Sequence, residues 1–228
     1  MAGFTASGFA GPRQLMAEVD MNRLARALAP SIDAGRRAES FYSAVSPGQG
    51  SDEPVETYYD GHRHDATIGE LAGHPALAEA AAALLGGPVK IWRTTFWIKA
   101  PGARRVEWHQ DTYKDEGLGS FPNVNAWIAI DEATPANCMH FVHGTHQAIV
   151  ALERFKDADY IARLEQSDAL PRPPVSGEVV AMPLKPGQYV LFDGRILHGS
   201  PPNLSPRRRA GLVVRFIPRD FQLNHKTY

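Results

Sequence analysis

Hydrophobic positions change their spacing about a third of the way along the chain. Before residue 88 they recur at helical intervals, and after it they alternate or gather in short runs. Leu15, Val19, Leu24 and Leu28 predict a helix over Gln14 to Ala29, with Pro12 near its start and Pro30 as its stop. Thr67 to Leu85 predicts a second helix, interrupted near its first turn by Gly73 and Pro75 and ended by Gly86-Gly87. Residues 44–54 (AVSPGQGSDEP) read as a loop.

Val89 to Lys99 is rich in β-branched and aromatic residues and predicts a strand, closed by a turn at Pro101-Gly102. Short extended segments follow at Val106 to Asp111, Val124 to Ile130, Met139 to Val142, Val179 to Leu184, Gln188 to Phe192 and Ala210 to Ile217. Ile149 to Gln166 carries the charge and periodicity of an exposed helix or lid. Seven or so short strands behind a helical N-terminal third predict a mainly β fold, a sandwich or barrel backed by helices. The expected layout is one domain over residues 1–228, with a helical part over about 1–87 and a strand core over about 88–218.

Composition narrows the class. With 228 residues, 43% of them hydrophobic, the chain is long enough for one sizeable core. Its 24 basic and 25 acidic residues leave a net charge of −1, which argues against nucleic acid or a membrane surface as the main partner. The single cysteine, Cys138, cannot form an internal disulfide and suits a reducing compartment. The N-terminus lacks the pattern of a signal peptide and no apolar run is long enough to span a bilayer. The expectation is a cytoplasmic protein that acts on a small molecule.

Candidate chemistry starts at Trp108-His109-Gln110-Asp111. In an extended segment, residues two apart point to one face, so His109 and Asp111 can aim at a common point. His198 follows the strand-like YVLF and the Asp193-Gly194 turn. Two histidines and one carboxylate leave three positions open on a metal, the pattern of non-haem iron(II) oxygenases. A His-x-Asp triplet arises often by chance and gains weight only from its surroundings. Downstream, Arg209, Gly211, Val213 and Arg215 share one face of a strand, and Arg208, Ala210, Leu212, Val214 and Phe216 share the other. An arginine pointing into a barrel needs a carboxylate partner. The far carboxylate of a dicarboxylic cosubstrate would supply one through two parallel hydrogen bonds.

These blocks, in this order, resemble the phytanoyl-CoA dioxygenase family of iron(II)/2-oxoglutarate oxygenases. The resemblance runs over roughly residues 68–218 and is carried by HPALAEAAAALLGGPV, WHQD, NVNAWIAIDEATPANCMHFVHGTH and GQYVLFDGRILHGSPPNLSPRRRAGLVVRF. It implies a double-stranded β-helix, or jelly roll, with His109, Asp111 and His198 as iron(II) ligands. Arg209, eleven residues after His198, matches the arginine that binds the 5-carboxylate of 2-oxoglutarate, and Ser200 a hydroxyl that assists it. Trp127 matches a tryptophan lining the cosubstrate pocket, and Thr94 lies on a strand expected to face 2-oxoglutarate. The chain departs from the family at His143-Gly144-Thr145-His146, where His143 replaces a proline and Thr145 can stand for a serine. His140, His143 and His146 would not share a face, so they read as structural or substrate-facing.

The resemblance implies hydroxylation of an unactivated C–H bond with 2-oxoglutarate and O₂ as cosubstrates. Related halogenating enzymes lack the aspartate, so the presence of Asp111 favours hydroxylation. Desaturation, epimerisation or cyclisation at the same iron remain alternatives, as does a non-catalytic jelly-roll binding module. Candidate substrate residues are Phe96, Trp97, Lys99, Arg104, Arg105, Tyr113 and Phe121, the basic ones suited to an anionic substrate. The segments near 150–170 and 44–65, the latter with Tyr58, Tyr59, His62 and Arg63, are candidate lids.

Overall fold

Alternation in the strand-rich part of the chain builds two facing antiparallel sheets, a jelly roll with flanking helices. The structure is a computed structural model and describes residues 2–35, 54–111 and 121–222. Six strands form the larger sheet: β1 (Phe9–Gln14), β2 (Val55–Tyr59), β3 (Val89–Lys99), β5 (Val124–Ala129), β8 (Gln188–Asp193) and β10 (Arg209–Pro218). Their order is β1-β8-β5-β10-β3-β2. The smaller sheet has the order β4-β9-β6-β7 and comprises β4 (Val106–His109), β6 (Met139–Val142), β7 (Val179–Met182) and β9 (His198–Ser200).

The helices are α1 (Ala2–Ser7), α2 (Glu18–Gly35), α3 (Ala66–Ala72), α4 (Pro75–Leu85), α5 (Leu152–Phe155) and α6 (Ala158–Gln166). No helix among the described residues is long and apolar enough to cross a membrane. Leu28 and Ile32 of α2, Ile68 and Leu71 of α3, and Leu77 of α4 are buried against Phe96, Ile128, Leu212 and Val214 on the outer face of the larger sheet. Each such side chain contributes about 1.5–3 kcal/mol by leaving water. This layer fixes which strand residues point outward, and so which remain for the interior. A second cluster, with Trp127, Phe141, Val190, Phe192 and Val213, fills the space between the sheets. Behind the smaller sheet, Trp108, Val142 and Leu197 pack on Tyr160 of α6.

Several local expectations change. The first helix begins at Glu18 and runs through Pro30 to Gly35. Burial of Leu28 and Ile32 on either side of the proline offsets the backbone hydrogen bond that Pro30 removes. The N-terminal part is not wholly helical, because β1 and β2 both join the larger sheet. Phe9–Gln14 reads FAGPRQ, with no alternation, and is tolerated because it is a largely exposed edge strand. Val55–Tyr59, inside the expected 44–65 lid, buries Val55 and Thr57 against the sheet, and residues 44–53 of that lid lie outside the described residues. Gly73 and Pro75 do divide the second helical stretch, into α3 and α4, and Gly86 ends it at φ 78°.

Candidate metal centre

Strand pairing brings the candidate ligands together. His109 ends β4 and lies directly across from His198 on β9, their ring centroids 4.1 Å apart. Asp111 follows two residues later, its backbone N–H held by Gly194 O at 2.7 Å. One ligand atom from each of His109, Asp111 and His198 lies within 4.8 Å of the others, and no other such group of three occurs among the described residues.

Both imidazoles are prepared in the same way. His109 Nδ1 donates to Glu107 O at 2.8 Å, and His198 Nδ1 to Ile196 O at 2.9 Å. A carbonyl only accepts, so each Nδ1 carries the proton and each Nε2 keeps its lone pair for a metal. The His109 side chain retains 18% exposure towards the pocket, yet it sits deep enough that burial, then the nearby His198, pushes its pKa down to about 3. Burial also lowers that of His198. Neutral rings suit metal ligation, and the donor set fits a divalent ion such as iron(II).

Gln110 faces away from its two neighbours. Its amide bridges Thr145 O, Ala148 O and Arg195 O and accepts from Val150 N at 2.7 Å, tying the ligand segment to the turn after β6. Thr145 Oγ1 accepts from Leu197 N at 2.9 Å, which braces the residue before His198.

The inner face of the larger sheet supplies the rest of the pocket. Trp97, Trp127, Arg209, Val213 and Arg215 line it together with the three candidate ligands and Ser200. Gly211 is needed here, because a Cβ would overlap the Trp127 ring. The Arg209 guanidinium lies 4.9 Å from the Trp127 ring centroid and donates through Nε to Asn137 O at 3.2 Å. Its Nη2 is buried without a hydrogen-bond partner. Burial brings the Arg209 pKa down to about 10.

Lys99 stands opposite Arg209 in the β3–β10 register and is fully buried. Its Nζ donates to Ser200 Oγ and Pro201 O, each at 2.7 Å. Burial, then the charge of Arg209, holds the lysine well below its ordinary pKa. Neither cation forms an ion pair among the described residues. A buried guanidinium with an orphaned nitrogen, next to the buried Lys99 ammonium, is costly unless an anion enters. The pocket therefore fits a ligand that brings a carboxylate to this end and reaches the metal position with the other. Asn203 braces the arrangement, donating to Lys99 O at 2.9 Å while its Oδ1 accepts from Asn137 Nδ2 at 2.8 Å.

Other expected site residues lie elsewhere. Thr94 and Phe96 are on the outer face of β3, because only alternate residues share the face of Trp97 and Lys99. Thr94 Oγ1 contacts His62 Nδ1 at 2.9 Å, and Phe96 stacks on Tyr58 within the helical core. Lys99 lies across from Arg209 and does not line the pocket; its Nζ is bonded to Ser200 and Pro201 rather than open to a substrate. Arg105 points away, donating to Ser167 O at 2.7 Å and Leu164 O at 3.2 Å, and so fastens the end of α6 to β4. Arg104 is half-buried and does not line the pocket, and Phe121 packs edge-on to Trp92. Tyr113 lies outside the described residues. The segment near 150–170 packs behind the smaller sheet through Tyr160, where it does not form a lid over the pocket. His140, His143 and His146 do not converge with one another on a metal position.

Asn125 and Arg215 were not singled out as site residues, although both touch Asp111. Their signal is strand alternation: Asn125 is two before Trp127 and Arg215 six after Arg209, each on the inward face.

Comparison with known proteins accords with this geometry. The family model described as Phytanoyl-CoA dioxygenase (PhyH) matches residues 4–211. An ectoine dioxygenase from Bordetella parapertussis is 28% identical over 207 residues, covering 85% of this chain and 65% of the relative. A methylphosphonate hydroxylase from Gimesia maris is 29% identical over 165 residues, covering 72% of this chain and 58% of the relative. The chain thus matches less than two-thirds of the length of either. Among solved structures, EctD from S. alaskensis with bound Fe superposes with a TM-score of 0.74 at 21% identity, over 98% of this chain and 77% of that one.

Proposed function

The chain belongs to the phytanoyl-CoA dioxygenase family, and on that premise we propose that it is an iron(II)- and 2-oxoglutarate-dependent dioxygenase that hydroxylates a C–H bond of a small molecule. One observation carries this reading: a His-Asp-His set opens onto the same pocket as Arg209, a buried guanidinium with one nitrogen left without a hydrogen-bond partner. A metal site alone, or an anion site alone, would not select this cosubstrate. When bound, the iron and 2-oxoglutarate supply the oxidising power, one atom of O₂ going into the C–H bond and the other into succinate, with release of CO₂.

The chain's own residues bind and orient. His109, Asp111 and His198 would hold the metal, a ligand set that leaves places for a cosubstrate and O₂. Arg209 would take the distal carboxylate, with the Ser200 hydroxyl beside it and the charge of Lys99 behind Ser200. Trp127 walls the pocket beneath the Arg209 guanidinium and keeps water from it. The retained Asp111 carboxylate fills the position that halide transfer would need, which supports hydroxylation.

The direct test is anaerobic addition of iron(II) and 2-oxoglutarate to the metal-free protein. A visible charge-transfer band that requires both additions is expected, followed by succinate formation in air. Absence of both the band and succinate, with any substrate offered, would overturn the proposal.

Lys99 makes a pH-dependent prediction. The folded ligand-free protein holds its proton less tightly than the unfolded chain, because burial and Arg209 lower the pKa. The unfolded chain therefore binds more protons, and Lys99 adds stability as pH rises from its lowered pKa towards its ordinary value. An arriving carboxylate reverses the shift, so 2-oxoglutarate should bind with proton uptake and bind more weakly as pH rises across that window. Calorimetry in buffers of different ionisation enthalpy measures the uptake. Lys99→Met should lose the uptake and bind 2-oxoglutarate more weakly, and it leaves Ser200 Oγ and Pro201 O without their donor. Equal proton uptake in variant and parent would refute the assignment.

A further inference from the structure

We propose that Asn125 is a positioning residue that commits Asp111 to holding the metal through one oxygen, with Arg215 as its support. The inference rests on the iron-binding reading above and concerns which carboxylate oxygen is offered.

The two oxygens of Asp111 have different surroundings. Oδ1 lies 3.8 Å from His109 Nε2, on the side where the ligand atoms converge. Oδ2 is turned towards the sheet and accepts from Asn125 Nδ2 at 3.0 Å, with Arg215 Nη2 3.8 Å away. The backbone of Asp111 is separately fixed by Gly194 O. The carboxylate is therefore restrained at both its main chain and its far oxygen.

The residues that restrain it are themselves rigidly placed. Asn125 has no exposed surface and sits on β5, between β8 and β10, in register with Phe192 on one side and Arg215 on the other. Its Oδ1 is buried without a hydrogen bond, so the one directed contact of the amide is the one to Asp111. Arg215 Nη1 donates to Thr95 Oγ1 at 2.8 Å, and Thr95 is also fully buried. A short amide in the middle of a six-stranded sheet cannot follow a carboxylate that swings.

The functional consequence is a count of positions. A carboxylate free to use both oxygens takes two places on the metal, and with two histidines leaves only two of six. A bidentate cosubstrate would fill both and leave none for O₂. Holding Oδ2 against Asn125 keeps Asp111 to a single place. Packing alone does not call for this contact, since an apolar residue at position 125 would fill the volume without leaving a buried amide oxygen unbonded.

The test compares Asn125→Ala and Asn125→Ser with the parent protein by anaerobic iron(II) titration, 2-oxoglutarate titration of the metal-free protein, and thermal melting. Asn125→Ala should raise the iron(II) Kd about 10–100-fold, the usual effect of removing a partner of a metal ligand. Its 2-oxoglutarate affinity without metal and its ligand-free melting temperature should stay near those of the parent. Asn125→Ser keeps a short donor and should recover part of the iron affinity, which keeps the test open if the alanine variant does not fold. Unchanged iron affinity in Asn125→Ala, or no recovery by serine, would overturn the positioning role. A parent protein that binds no iron(II) would instead overturn the proposed function, so the two failures are separable.

Discussion

Replacing Arg209 with alanine should raise the 2-oxoglutarate concentration needed for half-saturation by about two to three orders of magnitude. The guanidinium is 2% exposed, and its Nη2 has no partner until a ligand arrives. Removing one member of a buried charge pair costs about 3–5 kcal/mol, and each 1.4 kcal/mol is about tenfold in Kd. Arg209→Lys should recover little, because an ammonium cannot make two parallel bonds to a carboxylate or lie flat on the Trp127 ring. Iron(II) binding without cosubstrate should be unchanged in both variants, since Arg209 is bonded to Asn137 O rather than to any candidate metal ligand. Titrating the anaerobic charge-transfer band measures the shift. A half-saturation point within a few-fold of the parent would remove Arg209 from the cosubstrate site.

The second large effect is expected at Asp111. Asp111→Ala removes the only carboxylate among the three convergent candidate ligands and leaves two neutral imidazoles. Partners of metal ligands contribute about 10–100-fold in metal affinity, and loss of an anionic ligand itself should exceed the upper end of that range. Iron(II) affinity should fall by at least about 100-fold, with hydroxylation undetectable and 2-oxoglutarate binding to the metal-free protein retained. The contrast with Arg209→Ala is the informative part, because each substitution should abolish one binding event and spare the other. Retained iron affinity in Asp111→Ala would place the metal elsewhere.

The two ends of the pocket differed in how readable they were along the chain. His109 and Asp111 are two residues apart on an extended segment, so local geometry sufficed to aim them together. The shared face of Arg209, Gly211, Val213 and Arg215 followed from the same alternation, and Arg209, Val213 and Arg215 line the pocket. On β3 the resemblance suggested Thr94, and Phe96 and Trp97 were both candidate substrate residues, although neighbours on a strand face opposite ways and only Trp97 lines the pocket. Alternation says which residues share a face but not which face is inside, and the packing of α2, α3 and α4 decides that. The arginines illustrate the same limit. Arg105 looked free to receive a substrate, but the carbonyls of Leu164 and Ser167, about sixty residues away, occupy it.

Strand content, the division of the second helix at Gly73 and Pro75, and the shared aim of His109 and Asp111 were legible in the sequence itself, because each depends on near neighbours and on period, whereas His198 entered through the order of the family's motif blocks. Only the tertiary structure decided that Pro30 lies within a helix, that Phe9–Gln14 pairs with β8, and that Lys99 faces Arg209. It also decided that Asn125 reaches one oxygen of Asp111 while the other lies 3.8 Å from His109 Nε2. These contacts join residues far apart in the chain, and their energies come from burial and from partners that local spacing does not encode.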